Sequence, residues 1–288
     1  MKCASGGGER SRSTFLSKPD LTDPGTLKRF ITRHGLATKK GLGQHWLFSS
    51  KAVDAIVREL VGAGGILENC PGPGVLTQRA VAVAETIALD IDPRVEGALG
   101  ESAPEARLVL EDVLAADVGA LLGELPSPRV VLSNLPYYIS TAVVSRLLEA
   151  ADQFDWGVLM MQREVGERLM AQAGERRRRA ISVEGRATFQ VRQVCVVPPG
   201  AFLPAPKVQS VVLRLDRQSR ANVEMELVRS GFRQRRKTLV SNLVEAGFDR
   251  GSVIGALTAV GMRSDLRPHH LTVDQWIALA NRVRIPKN

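Results

Sequence analysis

Arg129-Val130-Val131-Leu132-Ser133-Asn134-Leu135-Pro136-Tyr137-Tyr138 runs from a short apolar strand pattern straight into a proline-stiffened turn, and a helical pattern over 141–151 follows it. The same strand, turn, helix order recurs on both sides. Apolar runs at 65–68, 86–91 and 107–110 precede it and one at 157–161 follows, separated by helical patterns at 75–83, 93–100, 114–122 and 164–173. Strands that alternate with helices at this spacing form a parallel, doubly wound α/β sheet. Two further strand patterns, 191–197 and 211–215, joined by the proline-rich loop 198–207, are expected to close one edge. Upstream, 26–36 and 51–61 have helical spacing, with Gly35 as the stop of the first.

Beyond the polar stretch 217–222 the strand signal ends, and 224–247, 249–260 and 272–284 all read as helices. The expected organisation is a disordered tail over 1–23, an α/β domain over 24–216 and a small all-helical domain over 217–288. Cys3, Cys70 and Cys195 lack the spacing of a zinc site or a disulfide framework, so a reducing, cytoplasmic setting is expected and no metal. No apolar run approaches the ~18 residues of a membrane span. The net charge of +9 is uneven. Residues 1–44 hold nine Lys and Arg against three Asp and Glu, residues 217–288 thirteen against six, and the middle is net negative. Basic ends around a neutral or acidic centre suit a polyanion held from the periphery, while a merely solubilising basic surface is the alternative.

Ligand candidates stand at the ends of successive strands, where open α/β sheets bind ligands. Glu68-Asn69-Cys70-Pro71-Gly72-Pro73-Gly74 is a glycine-rich turn that lets backbone approach a ligand, or simply a tight turn; the GxGxxG spacing of a dinucleotide loop is absent. Asp90 can accept both ribose hydroxyls of an adenosine-containing cofactor, whereas Asp92, ahead of Pro93, reads as a helix cap. Asp112 can accept from the amino group of the cofactor's adenine or cap a helix. Asn134 to Tyr137 carries the most chemistry. An exocyclic amine is a poor nucleophile because its lone pair is delocalised into the ring. Hydrogen bonds from both its protons to the Asn134 side chain and the Leu135 carbonyl favour a tetrahedral nitrogen. Pro136 stiffens the turn and Tyr137 offers a stacking face. Direct methyl transfer of this kind needs orientation more than acid–base groups.

In these motifs the chain resembles the small-subunit ribosomal RNA adenine N6-dimethyltransferases, the KsgA-type family, from about residue 27 to 284. The likeness includes Gly41-Leu42-Gly43-Gln44-His45-Trp46-Leu47, the Asn134 turn, Gln162-Arg163-Glu164-Val165, the loop Ala201-Phe202-Leu203-Pro204-Ala205-Pro206-Lys207-Val208-Gln209-Ser210, and Phe232-Arg233-Gln234-Arg235-Arg236-Lys237-Thr238-Leu239. It implies a Rossmann-like S-adenosylmethionine-dependent methyltransferase that dimethylates two adjacent adenosines near the 3′ end of small-subunit rRNA. A monomeric protein acting on the assembling small subunit is implied with it. Carried over, His45, Leu47, Gly72, Asp90, Asp112 and Asn134 would contact the cofactor. Phe202 would stack on the target adenine opposite Tyr137, and Arg235, Arg236 and Lys237, on a basic helix, would meet RNA; a packed loop anchor and a solvated face are the plainer alternatives.

The chain also departs from the family. Cys70 stands where the family's first motif has a glycine, Asp90 replaces the commoner glutamate, and Arg176-Arg177-Arg178-Arg179 falls where the family often has Tyr-Gly. Two other functions share parts of the pattern. One is the macrolide-resistance enzyme acting on large-subunit RNA; the other is a non-catalytic nucleic-acid-binding relative, for which a degraded cofactor loop at Cys70 would be the sign.

Overall fold

The computed structural model describes residues 18–36, 44–218 and 223–284. Nine strands, β1 (Trp46–Leu47), β2 (Gly65–Asn69), β3 (Glu85–Asp90), β4 (Arg107–Leu110), β5 (Arg129–Asn134), β6 (Trp156–Gln162), β7 (Phe189–Val197), β8 (Phe202–Leu203) and β9 (Ser210–Arg217), occur among them. Seven form one sheet in the order β4-β3-β2-β5-β6-β9-β7. The first five are mutually parallel, and β9 runs antiparallel to both β6 and β7. Both edge strands foreseen at 191–197 and 211–215 are present, with the later one inserted between β6 and the earlier. The order reverses between β2 and β5, and in open sheets that switch point opens a crevice at the strands' carboxyl ends.

Alternation along the central strands explains why both faces are covered. Ile66, Val130 and Leu132 belong to one apolar cluster, Leu67 and Val131 to a second on the opposite face. The helices α1 (Pro24–Arg33), α2 (Ser50–Arg58), α3 (Thr77–Ala80), α4 (Val95–Ser102), α5 (Val118–Gly123), α6 (Ser140–Glu149) and α7 (Arg163–Met170) flank this sheet. Local chemistry sets their bounds. Asp23 accepts from Thr26 N at 2.7 Å to start α1, and Gly35 at φ +65° ends it with Leu36 N donating to the Ile31 carbonyl. Of the expected tail, residues 18–23 are described and joined to the domain, with Leu21 1% exposed in the core and Lys18 paired with Glu105; residues 1–17 lie outside the described residues. The helix expected over 75–83 shrinks to α3 because the Pro/Gly turn extends through Gly74, whose missing Cβ makes room for Ser102 of α4. The one expected over 114–122 starts at α5 because Asp117 accepts from Ala120 N and caps it there.

A third apolar cluster is built around Trp276 from α9 (Met225–Gly231), α10 (Leu239–Glu245), α11 (Arg250–Ala259) and α12 (Val273–Ala280). It also takes in Val183 and Ala187 from α8 (Ala180–Thr188), a helix the sequence pattern did not announce. The single helix expected over 224–247 is two. The fully buried Asn242 accepts from Gln234 N and donates to the Gln234 carbonyl, fastening a turn at 232–238, and Thr238 accepts from Ser241 N to start α10. Arg235, Arg236 and Lys237 therefore lie on a turn between helices, not on a helix.

Candidate active site

At the carboxyl ends of β2 to β5 lies a cavity of about 730 Å³. Each strand delivers a residue: Cys70 after β2, Asp90 from β3, Asp112 after β4 and Asn134 from β5, followed by Leu135, Pro136, Tyr137 and Tyr138. Gln44, His45 and Trp46 form the opposite wall. Such a volume is in the range of small-molecule and cofactor pockets.

The turn after β5 is held by its backbone. Leu135 N donates to the Met160 carbonyl at 2.9 Å, and the Leu135 side chain is buried in the core. Ser140 Oγ donates to the Pro136 carbonyl at 2.9 Å, and the Tyr137 hydroxyl and Ser210 Oγ share a hydrogen bond of 2.7 Å. Two acceptors are left over: among the described residues none donates to the Asn134 side chain or to the Leu135 carbonyl. Those are the two groups that the chemistry of amine activation requires.

On the other side of the cavity, Asp90 Oδ1 accepts from Asp92 N at 2.9 Å and Oδ2 from Gly72 N at 3.4 Å, joining the end of β3 to the glycine turn. Burial raises the Asp90 carboxyl above its ordinary range. Asp112 lines the cavity and also caps a turn, its Oδ1 accepting from Leu114 N at 2.9 Å, so both roles considered for it have a structural counterpart. Asp92 accepts from Arg94 N and pairs with the Arg94 guanidinium, in keeping with a cap. Below the turn, Glu68 is 1% exposed, and burial pushes its carboxyl up to about 8, with the Asp90 charge adding to the effect.

Cys70 adopts φ +60°, the one non-glycine among the described residues in the left-handed region. The position is one that favours glycine, and a side chain there costs about 1 kcal/mol. Burial and the carboxylates of Asp90, Glu68 and Asp112 push its thiol well above the ordinary cysteine range, so it stays protonated. The next glycine, Gly72 at φ +56°, lies beneath the Trp46 ring: a Cβ there would meet it at 2.3 Å. Trp46 thus walls the cavity beside His45, a role that its wide ring in the 41–47 segment signals.

His45 bonds the Pro204 carbonyl through Nδ1 at 2.7 Å, and its ring centroid is 5.1 Å from that of Tyr137. Antiparallel pairing of β1 with β8 places Leu47 opposite Phe202. This explains why Leu47 and Phe202, 2% and 3% exposed, pack into the core and do not line the cavity. In this structure Phe202 is a packing anchor, and the exposed aromatic beside Tyr137 is Tyr138. Gly41 to Gly43 lie outside the described residues. Arg235 and Arg236 line a second cavity that shares no lining residue with this one, and Lys237 pairs with Glu245.

Comparison with known proteins identifies the family. A family model described as ribosomal RNA adenine dimethylase matches residues 35–283. Ribosomal RNA small subunit methyltransferase A of Bacillus mycoides (strain KBAB4) is 33% identical over 288 residues, covering 93% of this chain and 99% of its own length. The protein of the same name from Geobacillus thermodenitrificans (strain NG80-2) is 33% identical over 286 residues, covering 91% and 96%. The crystal structure of a dimethyladenosine transferase from Plasmodium falciparum aligns with a TM-score of 0.68 at 23% identity, over 82% of this chain and 96% of that one. That of the 23S rRNA methyltransferase ErmE aligns at 0.62 and 24%, over 83% and 99%. At such identities the two structures speak to the fold, which is the Rossmann-like methyltransferase sheet. Strand-end acceptors gathered at the switch point of that sheet, and a family match across nearly all the described chain, make this protein a member of the ribosomal RNA adenine dimethylases.

Proposed function

We propose that the protein methylates the N6 amines of two adjacent adenosines near the 3′ end of small-subunit rRNA, twice each, as a monomer acting in the cytoplasm on the assembling small subunit. The observation that carries this proposal is the pair of unengaged acceptors, the Asn134 side chain and the Leu135 carbonyl, at the mouth of the cavity. The names of the bacterial relatives support the small-subunit target. Among the described residues no helix is long and apolar enough to cross a membrane.

The methyl donor of this family, S-adenosylmethionine, supplies an electrophilic methyl group when bound. The cavity fits it: Gln44 Oε1 and Trp46 Nε1 are buried without a described partner on one wall, and carboxylates stand at two strand ends opposite. Asp90 would accept from the ribose hydroxyls and Asp112 from the adenine amino group, with His45 on the wall; Leu47, packed in the core, and Gly72, beneath the Trp46 ring and outside the cavity lining, would act only by holding that wall in place. Asn134 and the Leu135 carbonyl would accept from the target amine. Because Pro136 and the Ser140 and Ser210 hydrogen bonds fix the turn, those acceptors are set before the base arrives, which is where an orientation-driven reaction gains its rate. Tyr137 would stack on the base, its hydroxyl held by Ser210 so that the ring plane is fixed. Phe202 would join it only by leaving the core. Arg235, Arg236 and Lys237 would meet the RNA backbone.

Unmethylated small and large subunits, each incubated with the protein and radiolabelled S-adenosylmethionine, test the assignment. Incorporation into the small subunit, approaching four methyl groups per particle as the two doubly methylated adenosines require, is expected. Incorporation confined to the large subunit would overturn the choice of target in favour of the macrolide-resistance type, and binding without incorporation would favour a non-catalytic role.

A further inference from the structure

The arginine run at 176–179 builds something the catalytic cavity does not need. A second cavity of about 720 Å³ lies between this loop and the helical cluster. Arg176, Arg178 and Arg179 line one wall, Arg235 and Arg236 of the α9–α10 turn another, and Arg267 a third; no carboxylate lines it. Gly174 N donates to the His269 carbonyl at 2.8 Å, fastening the loop to the helical cluster at this point.

Arg178 is the unusual member. Its residue is 2% exposed, and neither Nε nor Nη2 has a hydrogen-bond partner among the described residues. Burying a guanidinium without partners is costly, and structures retain such a group chiefly where something anionic completes it. Burial, and next the charge of Arg186, push Arg178 down to about 10, which still leaves it protonated at neutral pH. Nearby carboxylates are committed elsewhere. Glu175 and Glu167 pair with Arg177, and Glu164 pairs with Arg168. Among the described residues, none of the seven arginines lining the cavity, Arg233 included, forms an ion pair.

We propose that this cavity is a phosphate-binding site in which Arg178 supplies the buried donors and the surrounding arginines the field, and that its occupant is a backbone phosphate of the substrate rRNA. The inference rests on the rRNA-binding function proposed above and adds to it a specific pocket for one phosphate group. Guanidinium N–H groups match phosphate oxygens in fork geometry, so one phosphate would satisfy the donors that the protein leaves free. Three of the lining arginines, the buried Arg178 among them, come from the run at 176–179.

The test uses the full chain as wild type, Arg178→Met, Arg235→Gln and Arg267→Gln. Thermal unfolding is followed in sodium phosphate and in sodium chloride of equal ionic strength. Phosphate at about 50 mM is expected to raise the wild-type midpoint by about 3 °C, and that of Arg178→Met by less than about 1 °C. A fragment of small-subunit rRNA is then titrated across a salt series. Arg178→Met is expected to bind about tenfold more weakly, with the slope of log affinity against log salt smaller by about one. S-adenosylmethionine affinity should be the same in all four proteins, so a failure here is distinguishable from failure of the methyltransferase assignment. Equal phosphate stabilisation of wild type and Arg178→Met would overturn the site. Stabilisation lost while RNA affinity is kept would overturn the RNA occupant and leave a free anion. Should Arg178→Met fail to fold, the exposed variants decide: unchanged phosphate response and RNA affinity in both Arg235→Gln and Arg267→Gln would equally overturn the proposal.

Discussion

Two cavities of nearly equal size, about 730 and 720 Å³, carry opposite chemistry. The first is lined by Asp90, Asp92 and Asp112, and its one arginine, Arg94, is paired with Asp92. The second is lined by arginines and no carboxylate. The first also has its polar groups fixed by neighbours, as Asp90 is by Gly72 and Asp92 and Tyr137 is by Ser210. The arginines of the second, Arg178 apart, are mostly exposed and form no ion pair among the described residues. Nearly equal volume with opposite charge points to a division of labour between a place that performs chemistry and a place that grips a polyanion. Variants should therefore separate the two.

The sharpest separation is expected at Asn134. Asn134→Ala should lower methyl incorporation by about a hundredfold or more while RNA affinity stays within about twofold, by incorporation and filter-binding assays. Full activity in this variant would remove Asn134 from the mechanism. Asp90→Asn comes next. Loss of a charged acceptor should weaken S-adenosylmethionine binding by about tenfold or more, again with RNA affinity kept. Because burial raises the Asp90 carboxyl, it protonates at a higher pH than an ordinary aspartate. Wild-type affinity for the cofactor should accordingly fall as the pH drops, starting above the usual aspartate range, and the asparagine variant should lack that fall. Calorimetry across pH checks both.

Changes in the other cavity should have the reverse pattern. Arg236→Gln should weaken RNA binding a few-fold and reduce its salt slope by about one, with cofactor affinity untouched. A loss of cofactor affinity in that variant would break the division. The smallest effect is expected at Cys70. Relief of a left-handed backbone, worth about 1 kcal/mol, is nearly offset by the freedom a glycine gains in the unfolded chain, so Cys70→Gly should change stability by no more than about 0.5 kcal/mol in denaturant melts. A gain beyond about 2 kcal/mol would mean that the loop carries more strain than its φ indicates.

Much of the first cavity was legible in the sequence because its residues are contiguous with strand ends. Once the strands at 65–69, 85–90, 107–110 and 129–134 are recognised, the carboxyl-end rule puts Cys70, Asp90, Asp112 and Asn134 side by side. Residues whose place depends on long-range pairing were harder. Phe202 is turned into the core by a two-residue pairing with Leu47 across more than 150 positions, which no local pattern encodes. The break at 232–238 hides inside a helical pattern because its cause is Asn242, a polar residue that looks solvent-facing until its two bonds to Gln234 are seen. Arg178 escaped for a similar reason. A run of four arginines reads as a solvated loop, and nothing in it says which one is buried.

Methyl transfer requires that the first cavity, with cysteine in its glycine turn, take the methyl donor. Calorimetric titration of the full chain with S-adenosylmethionine tests this directly. Saturable binding at one site per chain, weakened in Asp90→Asn and unchanged in Arg236→Gln, is the predicted result. The absence of measurable binding to the wild-type protein would contradict it and leave a protein that holds RNA without modifying it.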